Sequence, residues 1–196
     1  MARLINVGIQ TMSAAIVLLP ILIIENKLFF KNMKQTIYYI ILGLYLASVY
    51  AVVGLPSINY IRINLTINAI PFIPMVADMK NSILNVILFI PYGIMLPFLW
   101  KKFSSLKSIM LFSFGTSLII EMLQVFTYRA TDINDLITNT TGAILGYLIF
   151  KILNKKLQLV PSNKGEKHFY VICATVFTVM FFIQPFIATT IGNFVY

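Results

Sequence analysis

The sequence predicts an all-α polytopic membrane protein with about six transmembrane helices and an extended or strand-like loop between helices 2 and 3. Three observations lead there. Of 196 residues, 59% are apolar and only 11% charged, against about 25% charged in soluble domains. The mean hydropathy of +0.89 excludes a water-soluble globule and a disordered chain alike. The apolar residues also fall in runs of roughly 20, the length a helix needs to cross the hydrocarbon core. A single membrane domain, 1–196, is the expected organisation. One cysteine, Cys173, excludes an intramolecular disulfide and a cysteine zinc site.

In chain order the expected spans are Leu4–Ile24, Thr36–Leu55, Ser82–Trp100, Ser108–Thr127, Ile133–Leu153 and Phe169–Ala188. Span one follows Arg3 as a secretory signal would. It is too long for one and lacks a small-residue cleavage pattern before Glu25, so it reads as a retained helix. Span five is polar in its first half, with Asn134, Asp135, Thr138, Asn139, Thr140 and Thr141, and carries Gly142 and Gly146 further in. Glycines in membrane helices mark close helix contact.

Between spans two and three, Ile61, Ile63, Leu65 and Ile67 alternate with Arg62, Asn64, Thr66 and Asn68. Period two is a strand signal. A lone strand leaves its backbone unsatisfied in lipid. The segment therefore belongs at the membrane surface, as a short strand or as an extended loop resting its isoleucines on the interface. Pro71 and Pro74 stop any regular element before span three.

Orientation follows from the basic residues, which concentrate in short cytoplasmic loops. The loops after spans one, three and five hold Lys27, Lys31, Lys34, Lys101, Lys102, Lys107, Lys151, Lys155, Lys156, Lys164 and Lys167. The opposite side holds Arg3, Arg62, Lys80 and Arg129. Both termini are expected outside. The net charge of +9 is then a topology signal, and no nucleic acid is expected as a partner. Trp100, beside Lys101 and Lys102, reads as an anchor at the inner interface.

An ionisable side chain inside a span costs about 2.5–3.5 kcal/mol on insertion scales and is a functional candidate by default. Glu121 is the one acidic residue deep in a clear span, roughly 9 Å below the outer end of span four at 1.5 Å per residue. Gln124 shares its helical face. After a short turn containing Arg129, residues Asp132, Asp135, Asn139, Gly142 and Gly146 fall within an arc of roughly 80° on span five. Asn85 lies about one turn down span three. Together these predict a polar pocket in the outer third of the membrane, with Arg129 at its rim and a glycine-mediated helix contact as its floor.

Structural explanations stand beside that reading. Asp132 and Asp135 have the spacing of an N-cap and a first-turn acid. Asn85 and Asn139 suit hydrogen bonds between helices. Glu121 needs either a proton or a partner if it is buried. His168 has no clustered ligands, so neither a metal centre nor a cofactor is expected. Asn64-Leu65-Thr66 matches a glycosylation sequon, a pattern too short to weigh.

These same residues resemble the VanZ-like family of membrane proteins. Asn85 through Gly93 is similar to its N-x-x-x-F-x-P-[FY]-G signature. Glu121 to Gly146 is similar to E-x-x-Q…R-x-x-D-x-x-D-x-x-x-N-x-x-G-x-x-x-G, and Asn68 to Phe72 to a short N-x-x-P-F element. The resemblance covers roughly 64–150, a VanZ-like core, and quotes nothing from spans one, two and six. It implies a multi-pass protein of the bacterial cytoplasmic membrane linked with low-level resistance to teicoplanin and related lipoglycopeptides. It supplies no reaction. On it, Asn85, Glu121, Gln124, Arg129, Asp132, Asp135 and Asn139 are the candidate ligand-binding residues. Pro91, Gly93, Gly142 and Gly146 are expected to serve helix packing.

Three mechanisms compete. In the first, the pocket holds an amphiphile with its tail in lipid: a lipid-linked wall precursor, an anionic membrane lipid or the tail of a lipoglycopeptide antibiotic. Arg129 would then meet phosphate or carboxylate through its planar fork. An intramembrane enzyme using Glu121, Asp132 and Asp135 on a lipid-linked envelope substrate is the alternative, although no nucleophile–base pair is evident. A proton-coupled transporter would need polar residues continuing to the inner side, and the inner halves of the spans are almost purely apolar.

Overall fold

The computed structural model describes residues 2–68, 70–72, 78–127, 129–157 and 166–195. Among them are six helices long and apolar enough to cross a membrane: Ile5–Phe30, Gln35–Val53, Met79–Leu99, Leu106–Gln124, Ile133–Lys156 and Lys167–Gly192. The chain forms two compact units, 1–61 with 165–196, and 62–164.

The first unit contains α1 (Ala2–Glu25), continued by a π turn over Asn26–Phe30, and α2 (Met33–Val53). It also contains α6 (Glu166–Thr178), a π turn over Val179–Ile183, and α7 (Gln184–Val195), which together form the last span. Lys31 breaks the first span in the left-handed region (φ 51°), and Asn32 caps α2 by accepting from the Gln35 backbone N–H. Leu18, Leu22, Leu42, Ile172 and Val176 fill the core. Gly43 packs closely there, since a Cβ would lie 3.0 Å from the tip of the Leu22 side chain, at Cδ1. The second π turn has a covalent cause. Pro185 lacks the N–H that the Phe181 carbonyl would accept and crowds it, and that carbonyl instead accepts from the Ile58 N–H at 3.0 Å. His168 Nδ1 pairs with the Tyr39 hydroxyl at 3.2 Å.

Two expectations change. Span one does not end at Ile24: the π turn carries it to Phe30, which leaves Glu25 inside the span, 9% exposed, with Thr175 Oγ1 donating to its Oε1. Trp100 is no interface anchor, because it is fully buried against Phe103. The backbone turns extended at Trp100 (φ −134°, ψ 129°) and leaves the axis of the preceding helix, so the ring packs inward.

The second unit holds α3 (Met79–Leu99), α4 (Leu106–Gln124) and α5 (Ile133–Leu157), with strands β1 (Ile67–Asn68) and β2 (Thr131–Asp132). Asp78 and Ser105 cap α3 and α4 through side-chain oxygens. α4 stops at Gln124, short of Thr127, because the Thr127 hydroxyl and backbone N–H both turn back onto the Gln124 carbonyl. The period-two segment is extended and ends in β1, which pairs in parallel with β2 in the register Ile67–Thr131 and Asn68–Asp132. The backbone N–H groups of Arg62 and Asn64 donate to the carbonyls of Phe126 and Val125. The strand signal was thus met by the turn after α4, while Ile61, Ile63, Leu65 and Ile67 stay exposed. Pro71 lies in the irregular stretch before α3; Pro74 is outside the described residues.

Candidate functional site

The site begins with a contact between helices that are not neighbours in sequence. α3 and α5 run parallel, and they meet where they have no side chain. A Cβ on Gly93 would collide with the Ala143 carbonyl oxygen, one on Gly142 with that of Val86, and one on Gly146 with that of Ile90. Backbones this close gain dispersion along the whole seam, which is what holds membrane helices together when burial from water cannot. Pro91 lies on α3 within the same stretch and is part-buried.

That seam sets the polar residues at the N-terminal end of α5. Asn85 Nδ2 on α3 donates to Asp135 Oδ1 at 2.7 Å, a hydrogen bond to a carboxylate between the two helices. Asn139, 2% exposed, donates from Nδ2 to Ser117 Oγ on α4 at 2.9 Å. Glu121, one turn further along α4, is 3% exposed. Its Oε2 accepts from the Asp132 backbone N–H at 2.8 Å, and its backbone carbonyl accepts from the Thr131 hydroxyl at 3.2 Å. Gln124 is also buried on this helix. Asp132 accepts the Asn134 N–H at 2.8 Å through Oδ1, the geometry of a helix cap.

Asp132, Asp135 and Arg129 all lie within electrostatic reach of Glu121, and Arg129, Asp132 and Asp78 within that of Asp135. Asn85, Glu121, Arg129, Asp132, Asp135 and Asn139 are therefore brought together around the first turns of α5, whereas Gln124 is placed only by its burial on α4. Asn85, Asp132, Asp135 and Asn139 each also make a bond that supports the fold.

Three residues outside the candidate set complete the arrangement. Asn134 accepts from the Phe72 N–H at 2.8 Å and donates to the Ile70 carbonyl and to Asp132. It thereby holds Phe72 in the left-handed region (φ 69°), where a non-glycine residue is strained. Its spacing from Asp132, two residues on, was the available signal. Ser117 and Thr131 hold Asn139 and Glu121 respectively. Ser117 lies four residues before Glu121, and that helical spacing alone would have flagged it.

Beside this cluster, on the same pair of helices, lies a groove of about 400 Å³ lined by Phe72, Met79, Ser82, Ile83, Val86, Ile137, Thr138 and Thr141. Its walls are almost wholly apolar. The hydroxyls of Ser82, Thr138 and Thr141 bond back to carbonyls of their own helices or caps, so they do not make it a polar site.

Comparison with known proteins agrees with this core. The VanZ/LLP1 family matches residues 18–154. The chain belongs to the VanZ/LLP1 family. It is a multi-pass membrane protein. The match takes in all of α3, α4 and nearly all of α5, and reaches back into α1. Protein VanZ of Enterococcus faecium is 37% identical over 93 residues, covering 47% of this chain and 56% of that relative. The alignment thus spans just over half the length of that VanZ protein. No solved structure matches the chain.

Proposed function

We propose that this VanZ/LLP1 protein acts in the bacterial cytoplasmic membrane, where it contributes to low-level protection against teicoplanin and related lipoglycopeptides. It does so by holding a membrane amphiphile at the N-terminal end of α5. The lysine-rich loops after spans one, three and five set the orientation, so that this end and both termini face outside.

One observation supports the reading: a charged cluster from α4, the turn after it and α5 adjoins an apolar groove between α3 and α5. The groove takes an acyl chain, for which its walls of Ile83, Val86, Ile137 and Phe72 are suited. The charged end meets the head group. Arg129 offers phosphate or carboxylate a planar pair of donors, and Glu121 and Asn139 would hold further polar groups. A lipid-linked wall precursor, an anionic lipid and a lipoglycopeptide tail all have this two-part chemistry.

Replacing Glu121 with Gln, or Arg129 with Gln, tests the reading in cells that depend on this protein for protection. Both variants are expected to reach the membrane at normal levels and to lose most of the protection. Undiminished protection by both would remove the cluster from the function.

A further inference from the structure

We propose that the extended segment ending in β1 pairs with the same segment of a second copy of this chain, in an antiparallel ribbon centred on Leu65.

One edge of the segment is already in use. The N–H groups of Arg62 and Asn64 donate to the carbonyls of Phe126 and Val125, and the Thr66 N–H donates to Asn64 Oδ1. The Thr66 carbonyl accepts from the Thr131 N–H. Every backbone group the segment spends in this way belongs to an even-numbered residue. Along a strand, successive residues turn their N–H and C=O groups to opposite edges. Ile63, Leu65 and Ile67 therefore point theirs away from the α4–α5 turn. Among the described residues nothing hydrogen-bonds to the backbone of Ile63 or Leu65. Their side chains are uncovered as well: Ile63 is 72% exposed, Leu65 77% and Ile67 66%. A bare apolar edge is a template for another strand, and chains that keep such an edge single guard it with lysine or proline. Residues 62–68 contain neither, and Arg62 at one end is their only charge.

The same residues show why the second strand is a copy of the first. Antiparallel pairing about Leu65 sets Leu65 against Leu65 of the second copy and Ile63 against its Ile67. All three outward-facing residues then form hydrogen-bonded pairs, each exchanging both N–H···O bonds. Each of those pairs also joins two apolar side chains across the strands. On the other face Asn64 meets Thr66, and Arg62 meets Asn68. Arg62 and Asn68 stand six residues apart, so the two arginines lie roughly 20 Å from each other at about 3.4 Å per residue. That is well beyond the screening length of about 8 Å in physiological salt. A parallel in-register pair would instead lay Arg62 beside Arg62. The antiparallel contact is two-fold symmetric and closes on itself, as dimer interfaces do. Its axis runs along the bilayer normal, which keeps both copies inserted the same way and both segments at the same depth. The pairing is independent of the amphiphile reading, since neither Glu121, Arg129 nor the groove takes part.

Disulfide trapping in native membranes tests the register, with single cysteines in the full-length chain in a Cys173→Ser background. Residues opposed in a hydrogen-bonded pair have Cα atoms about 5.5 Å apart, within reach of a disulfide. Leu65→Cys is expected to give a covalent dimer on mild oxidation. Ile63→Cys alone is expected to give at least tenfold less, because its two copies lie roughly 14 Å apart. Combining Ile63→Cys with Ile67→Cys should restore the dimer. Equal yields from Leu65→Cys and Ile63→Cys would mean random collision and would overturn the proposal. A Leu65→Cys adduct with a protein of another mass, showing that a different chain occupies the edge, overturns it too. Association is read separately in lipid vesicles, by energy transfer between copies labelled at Lys155→Cys. Leu65→Pro deletes the central outward N–H and leaves the bonds of Arg62, Asn64 and Thr66 in place. It is expected to weaken association at least tenfold. Undiminished transfer in Leu65→Pro, or no transfer with Leu65 intact, overturns the proposal.

Discussion

Gly142→Ala puts the α3–α5 seam to the sharpest test. The added Cβ would meet the Val86 carbonyl and lie 3.0 Å from Phe89 Cβ. The first obstacle is backbone, which cannot rotate aside, and carbon contacts settle at about 3.5–4.0 Å. The helices must therefore part by roughly 1 Å. Overpacking of this kind costs about 1–3 kcal/mol. Parting also stretches the 2.7 Å Asn85–Asp135 bond, worth about 0.6–1.7 kcal/mol between membrane helices. The expected loss is about 2–5 kcal/mol in total. Gly115→Ala is the matched control. Nothing lies within 4 Å of its Cβ position, and alanine is favoured over glycine in a helix by up to about 1 kcal/mol. Reversible unfolding of both variants in mixed micelles reads the difference. If Gly142→Ala were as stable as Gly115→Ala, the seam would not be the close contact described, and the placement of Asn85 against Asp135 would lose its physical basis.

Two further outcomes follow from the same geometry. Asn134→Ala removes the acceptor of the Phe72 N–H and the donor to the Ile70 carbonyl, so the strained Phe72 should relax. Hydrogen exchange at Phe72 is expected to quicken at least tenfold, equivalent to about 1.4 kcal/mol, and an unchanged rate would show that the loop is held by something else. For orientation, single cysteines at Ile63 and Lys102 in a Cys173→Ser background should differ in intact cells. An impermeant maleimide is expected to label position 63 and spare position 102, and the reverse pattern would turn the molecule over.

Topology and fold class were legible in the chain itself, because the bilayer imposes them one segment at a time. A run of roughly 20 apolar residues has no other stable place, and a helix satisfies its own backbone wherever it lies. Six such runs could therefore be read without knowing which packs on which. Glu121 could be singled out for the same reason, since an acid inside such a run is costly whatever surrounds it. Pairing was different. The short turn after Gln124 made α4 and α5 neighbours, yet the closest approach joins α3 to α5, where Gly93 faces Ala143 and Gly142 faces Val86. Nothing local in either helix names its partner.

The period-two segment behaved alike. Its alternation announced an extended chain, but the strand it pairs with is two residues of a turn far along the sequence, Thr131 and Asp132. Glu25 passed unnoticed because only the π turn, fixed by packing, draws it inside a span. Local solvation energies thus determined what each segment is. Which oxygens face which donors, and which are left with none, was decided only when the helices met, because those energies depend on distances between residues that the chain order does not contain.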